Sequence, residues 1–176
     1  MEKNWLKVPT SSSEINLQFV VFRVLEMASL IEQNLASDLI IKEILEKAKI
    51  IALVGASDKP HRPSYSVMKY LKMKGYTVIP VNPNNTGKTI LGEPVFENLS
   101  AITQQVDLVD IFRKSMDVEQ IIDEAIAANA RAIWMQIGVI HPKAAKRAIN
   151  AGLRVVMDRC PKIEIPRLNI QNTTLG

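Results

Sequence analysis

The stretch Ile50–Lys69, IIALVGASDKPHRPSYSVMK, constrains this chain more than any other. Ile50-Ile51-Ala52-Leu53-Val54 is a short apolar run without a charge. Such a run suits a strand covered on both faces, as in a parallel sheet. Gly55 follows at once and permits a sharp turn that a Cβ would obstruct. A polar loop then leads to Pro63 and Ser64, followed by Val67, Met68 and Leu71 at helical spacing. Proline is favoured at the first helical position and serine is a good cap, so a helix is expected over 64–74. A helix N-terminus presents free N–H groups and a partial positive charge, which suits a phosphate. Lys59, His61 and Arg62 lie in the same loop. That loop is longer and more basic than a plain βα connection needs, which points to an anionic ligand.

The rest of the chain repeats this alternation. Ser37 caps an expected helix over 38–47, with Leu39, Ile40, Ile44 and Leu45 as its apolar stripe. Gly75 stops the second helix and Thr77–Val81 reads as strand two, with Pro80 removing one ladder donor near its end. Asn82–Asn85 reads as a loop, and Ile90–Val95 as a small hairpin turning on Gly92. A helical turn is expected near Ser100–Ile102 and strand three over 108–112. Asp117 and Gln120 cap a helix carrying Val118, Ile121, Ile122, Ala125 and Ile126. Strand four follows over 132–135, a helix over 142–151, and strand five over 154–157.

Short apolar strands alternating with amphipathic helices predict an α/β fold, a doubly wound and mainly parallel sheet of five strands with helices on both faces. Right-handed crossovers favour the order 3-2-1-4-5, which places the switch point between strands one and four. The folded domain is expected over 37–168, followed by a loose polar tail over 169–176. Residues 1–36 read as an extension: a polar, disordered start through Ser13, then a helix from about Glu14 to Leu30. That extension packs on the domain or on a partner subunit, or else Met27 is the true start.

Composition narrows the chemistry. One cysteine excludes an internal disulfide or a Cys-based metal cluster, and two histidines leave little for a metal site. The net charge of +4 is mild and spread out, so a nucleic-acid partner is not expected. The most apolar early run, Phe19–Phe22, ends at Arg23, too soon to span a membrane. The expectation is a cytoplasmic protein.

Ligands of such sheets bind outside the carboxyl ends of the strands. Those ends carry Gly55-Ala56-Ser57, Asn82-Pro83, Arg113, Gln136 with Gly138, and Arg159-Cys160. The dinucleotide fingerprint is met only at Gly55, since Ser57 and Pro60 stand where its other glycines belong. The acid that would hold an unphosphorylated ribose is replaced by Asn82. This argues against NAD and leaves a phosphorylated ribose open, as in NADP or coenzyme A. Trp134 lies inside a strand and reads as core, Tyr65 and Tyr70 read as packing, and Asp107, Asp110 and Asp158 form no acid–base pair.

Six blocks in order carry a family resemblance: GAS-x-KPxRPSYxVMKYL, GYTVIPVNP, GKTILGEPVFENL, DLVDIFRKS, AIWMQIGV and VVMDRCPKIE. Over about Ser37–Leu168 the chain resembles the stand-alone CoA-binding proteins of bacteria, which are similar to the CoA-binding domain of the succinyl-CoA synthetase alpha subunit. His141 has no counterpart in that pattern. The resemblance implies a Rossmann-like domain holding coenzyme A at the strand ends. Gly55, Ala56, Ser57 and the turn Arg62-Pro63-Ser64 would hold the pyrophosphate, with Lys59 in the same basic loop. Val81, Asn82 and Pro83 would line the adenosine, and Phe112 and Arg113 would flank the nucleotide. Gln136 and Gly138 would approach the pantetheine, and Arg159 and Cys160 would close the site. Arg113 is alternatively a partner for a nearby carboxylate, and Gln136 a support for loop backbone.

The resemblance further implies a module that binds CoA or an acyl-CoA and is not an enzyme, because the synthetase catalyses with a phosphorylated histidine on a second domain and a nucleotide-grasp partner, which this sequence does not show. An NADP-dependent oxidoreductase using the same crevice is the alternative, and a CoA-sensing subunit that signals or oligomerises through residues 1–36 is a third. Arg159 and Lys162 flank Cys160, and neighbouring positive charge favours the thiolate. Cys160 is thus either a partner for the CoA thiol in a mixed disulfide or a small buried hydrophobe.

Overall fold

A computed structural model describes residues 37–171 of the protein. The expected extension over 1–36, with its helix and the alternative start at Met27, lies outside the described residues, as does the end of the tail. The chain divides between Leu39 and Ile40, and the sheet belongs to the second unit.

In chain order the elements are α1 (37–47), β1 (Ile50–Val54), α2 (Pro63–Met73), β2 (Thr77–Val81), β3 (Thr89–Ile90), β4 (Glu93–Pro94), β5 (Leu108–Ile111), α3 (Val118–Ala127), β6 (Ala132–Met135), α4 (Pro142–Asn150), β7 (Arg154–Val156) and α5 (Pro161–Arg167). β2, β1, β5, β6 and β7 form one sheet in that order, and every pairing is parallel. β3 and β4 are the expected hairpin. Its turn residues Leu91 and Gly92 both take positive φ, as a two-residue hairpin turn demands.

The expected α/β class, strand number and parallel pairing are observed, but the order is corrected. Counting the five long strands along the chain, the sheet runs 2-1-3-4-5 and not 3-2-1-4-5. The physical reason is that the outer edge of β2 is already occupied. Phe96 donates to Pro80 O and accepts from Asn82 N, both at 2.9 Å. The missing N–H of Pro80 falls on this outer side, where it interrupts no bond to β1. β5 instead docks against β1, where the Asp107 carboxylate accepts from the backbone N–H groups of Lys49 (2.8 Å) and Ile50 (3.0 Å). The switch point therefore lies between β1 and β5.

Alternation along β1 divides the core. Ile51 and Leu53 face α1, α2 and α5, packing with Ile44, Leu45, Met68, Leu71 and Ile165. Ala52 and Val54 face α3 and α4, packing with Ile122, Ala125, Ala144 and Ala148. Trp134 is fully buried, as expected, and its indole N–H donates to Arg159 O at 2.7 Å.

Smaller differences have local causes. Arg62, not Ser64, is the N-cap of α2, with Pro63 at the first helical position and Ser64 buried inside the turn. Asp117 makes no cap bond to α3, because its carboxylate is taken by Arg113. Asn82–Asn85 is not an open loop: Pro83–Asn85 form a 3₁₀ turn capped by Asn82. Helix α5 is not foreseen at all. Pro161 starts it at a position that suits proline, and Pro166 sits in its last turn. Ile170 is buried and donates its N–H to Ile165 O, so packing continues beyond Leu168 into the expected tail.

Candidate functional site: a cleft at the carboxyl ends of the strands

The turn after β1 is closely packed. Gly55 has φ +91°, and a Cβ there would stand 2.6 Å from the carbonyl oxygen of Phe112. Only glycine lets the chain turn this close to the end of β5. Gly55 N–H donates to Val81 O at 2.9 Å. Asn82 then holds the turn from the other side: its Nδ2 donates to Ala56 O at 2.7 Å, while its Oδ1 accepts from Asn84 N. Where a dinucleotide fold offers a carboxylate to a ribose, this chain uses an amide to clamp its own glycine turn.

Beyond the turn, Ser57 Oγ accepts from Lys59 N, and Lys59 O accepts from Arg62 N. This delivers the chain into α2 with no capping side chain and no acidic residue in the first turn. Lys59 and Arg62 are exposed, and among the described residues no carboxylate pairs with either. An uncapped helix N-terminus beside two unneutralised cations is a favourable place for a phosphate.

These groups border a cleft of about 820 Å³, a volume in the range of small-molecule sites. Its lining includes Gly55, Ala56, Ser57, Lys59, Arg62, Pro63, Ser64, Asn82, Phe112, Arg113, Gln136 and Cys160. A smaller adjoining hollow of about 310 Å³ shares Gly55, Asn82 and Arg113 and adds Val81 and Pro83. Arg113 stands between the two, and its guanidinium is also held by Asp117 at 3.1 Å. Two residues expected in the site stand outside both linings. Gly138 N–H is held by Asp158 Oδ1 at 2.8 Å, and the Arg159 guanidinium turns toward buried Glu164 at 3.8 Å. Asp58, Val67, Asn84, Asn85, Ile137 and Val139 line the cleft without having been singled out.

Beneath the cleft lies a group absent from the expected set. Asp110 of β5 is fully buried, and both its carboxyl oxygens face Gln136 Nε2, at 2.9 and 3.2 Å. Burial pushes its pKa up to about 7, and the Gln136 hydrogen bond opposes only part of that rise. The available signal was a charge inside the apolar run Leu108–Ile111, since an acid is not buried without consequence.

Cys160 is half-buried at the N-cap of α5 and packs against the core. Here the expectation of a favoured thiolate is corrected. Burial raises the thiol's pKa, and nearby Asp110 adds to the rise, while backbone N–H groups of Lys162 and Ile163 and the Lys162 charge pull it down. The flanking cations face elsewhere: Lys162 Nζ donates to Ser66 Oγ, and Arg159 turns to Glu164. His141 is structural, its Nδ1 accepting from Ala144 N at the start of α4.

A parallel sheet with a glycine turn, an uncapped helix N-terminus and a cleft at its switch point defines a nucleotide-binding class of Rossmann-like domain. Residues 49–166 match the family described as the CoA binding domain, and the chain belongs to that family. It is 37% identical over 123 residues to the uncharacterized protein YneT of Bacillus subtilis, covering 70% of this chain and 90% of that one. A hypothetical protein from Pyrococcus horikoshii has a similar structure, with TM-score 0.71 and 39% identity over 75% of this chain and 92% of that one. A Thermus thermophilus protein is also similar, with TM-score 0.72 and 37% identity over 74% and 98% of the two chains. No helix among the described residues is long and apolar enough to cross a membrane.

Proposed function

We propose that this protein is a non-catalytic coenzyme A carrier. The observation that carries the reading is the uncapped, acid-free N-terminus of α2, flanked by Lys59 and Arg62 and opening on the cleft. The CoA phosphates lie against that loop, the adenosine toward Val81 and Pro83, and the pantetheine arm toward Gln136 and Cys160. The absence of a carboxylate at Asn82 removes the group that would repel a ribose phosphate. The cleft's polar groups support a holding role: Asn82 clamps the glycine turn and Arg113 is braced by Asp117. We place the protein in the cytoplasm, where a thiol ligand stays reduced. Calorimetry with CoA, dephospho-CoA, NAD and NADP tests the reading. CoA is expected to bind most tightly, and tighter binding of NAD or NADP refutes it.

The same carrier is redox-sensitive if Cys160 exchanges with oxidised CoA. The Cys160 thiolate attacks one sulfur of the CoA disulfide, the S–S bond breaks, and one CoA leaves as its thiolate. The raised thiol pKa makes this slow at neutral pH and faster as pH rises. Intact-mass measurement after incubation with CoA disulfide should show a CoA-sized adduct that dithiothreitol removes and Cys160→Ser abolishes. No adduct, with CoA binding intact, leaves Cys160 a packing residue.

A further inference from the structure

Gln136 is 5% exposed, lines the cleft, and has its two amide ends in different situations. Nε2 is held by the Asp110 carboxyl. Oε1 has no donor among the described residues, and it is not among the buried polar atoms shut off from solvent. With Nε2 turned down to Asp110, the carbonyl oxygen faces the cleft. This orientation has one cause. Two bare carboxylate oxygens accept from an N–H₂ and repel a carbonyl, so ionised Asp110 leaves the amide one choice. When Asp110 carries a proton, its O–H needs an acceptor, and the nearest is the same amide after a half-turn. Gln136 then shows N–H groups to the cleft in place of an oxygen.

We propose that Asp110 and Gln136 form a proton-gated acceptor subsite, in which Asp110 positions Gln136 Oε1 to accept a hydrogen bond from a secondary amide N–H of the ligand. The inference rests on the CoA reading, because the pantetheine arm carries two such amides. Asp110 is a positioning residue and Gln136 the contact. The gate closes by moving one proton onto Asp110 from solvent, with no other chemistry. Burial of Asp110 sets the change near neutral pH. The other charged or titratable groups around the cleft are Asp58, Lys59 and Arg62 before α2, Arg113 after β5, and Cys160 at α5. Glu164 of α5 is buried and paired with Arg159 and Arg167. Holding a carboxyl in this position costs stability, which fits a group kept for the site and not for the core.

The test is the pH dependence of affinity. Dephospho-CoA is the main probe, because it lacks the phosphomonoester that would itself titrate, and CoA is measured beside it. Wild-type affinity for dephospho-CoA should fall about three- to tenfold between pH 8.5 and pH 5.5, the loss of one hydrogen bond. Asp110→Asn can hold the amide either way, so it should bind more weakly at pH 8.5 and show a flat profile. Gln136→Met, which has no acceptor, should do the same and serves alone if Asp110→Asn does not fold. His61→Ala, which removes the loop imidazole, should keep the wild-type slope. A flat wild-type profile, or a wild-type slope surviving in Gln136→Met, overturns the gate while leaving CoA binding intact. Failure of both ligands to bind at every pH overturns the CoA reading and the gate together.

Discussion

The two ends of the sheet carry similar charges and treat them differently. At the amino ends of the strands a hollow of about 460 Å³ is lined by Glu43, Lys47, Asp107, Arg131 and Arg154. There each cation has a carboxylate: Lys47 and Arg154 share Glu43, and Arg131 meets Asp107. At the carboxyl ends Lys59 and Arg62 have none among the described residues, the α2 N-terminus is uncapped, and an acid lies buried below. Paired charges tie strands and helices together and offer little net field to a ligand. Unpaired cations beside helix N–H groups keep their field for an incoming anion. On the proposed reading, the depression at one end of this fold is a structural joint and the one at the other end a receptor. Volume alone does not separate them.

Glycine substitutions sharpen the comparison most. Gly55 and Gly152 stand at opposite ends, and both have positive φ. A Cβ at Gly152 meets nothing within 4 Å, whereas one at Gly55 strikes the Phe112 backbone. Gly55→Ala should cost about 3–5 kcal/mol, combining backbone strain with a steric clash. Gly152→Ala should cost only about 1–2 kcal/mol. Urea titration of both variants checks this, and equal losses would remove the claim that the turn at Gly55 runs hard against the Phe112 backbone.

The buried acid comes next. Its folded pKa, about 7, lies above the ordinary 3.8. The folded state therefore holds a proton that the unfolded chain has released. Asp110 thus costs nothing below about pH 4, and its cost grows as pH rises toward 7 and then levels off. Thermal melts should show Asp110→Asn gaining on the wild type across that interval, by on the order of a few kcal/mol at pH 8. A gap between the two that does not change with pH would mean that Asp110 is ionised throughout.

Arginines at the two ends give the smallest effects. Arg62→Ala should weaken CoA by about 1.5–3 kcal/mol, the value of a charged hydrogen bond, with folding nearly intact. Arg131→Ala should leave CoA affinity unchanged and cost at most about 1 kcal/mol of stability, as an exposed ion pair does. If the two arginines affect affinity alike, the distinction between joint and receptor fails.

Local sequence determined the elements, because apolar runs, helical spacing, glycine turns and N-terminal prolines act over a few residues. Ile50–Val54, Gly55, Pro63 and the Leu91-Gly92 turn were legible for that reason. So was the gathering of Gly55, Ser57, Arg62, Gln136 and Cys160 at one edge, since parallel strands all end on the same side. The strand order was not legible: it depended on Phe96 capping the edge of β2 and on Asp107 reaching back to Lys49 and Ile50, contacts across long stretches of chain. Helix α5 was not legible either: it is short, carries two prolines, and is fixed by Ile165 packing into the core. Tertiary structure alone decided the character of side chains. Asn82 turned inward to clamp Ala56, Arg159 turned away to Glu164, and burial outweighed the cations beside Cys160. Asp110, read in sequence as an isolated acid, acquired its meaning only when folding withdrew it from water and set Gln136 over it. Charge, hydrogen bonding and pKa depend on which groups are close in space and on how much water remains, and the chain's order does not contain either.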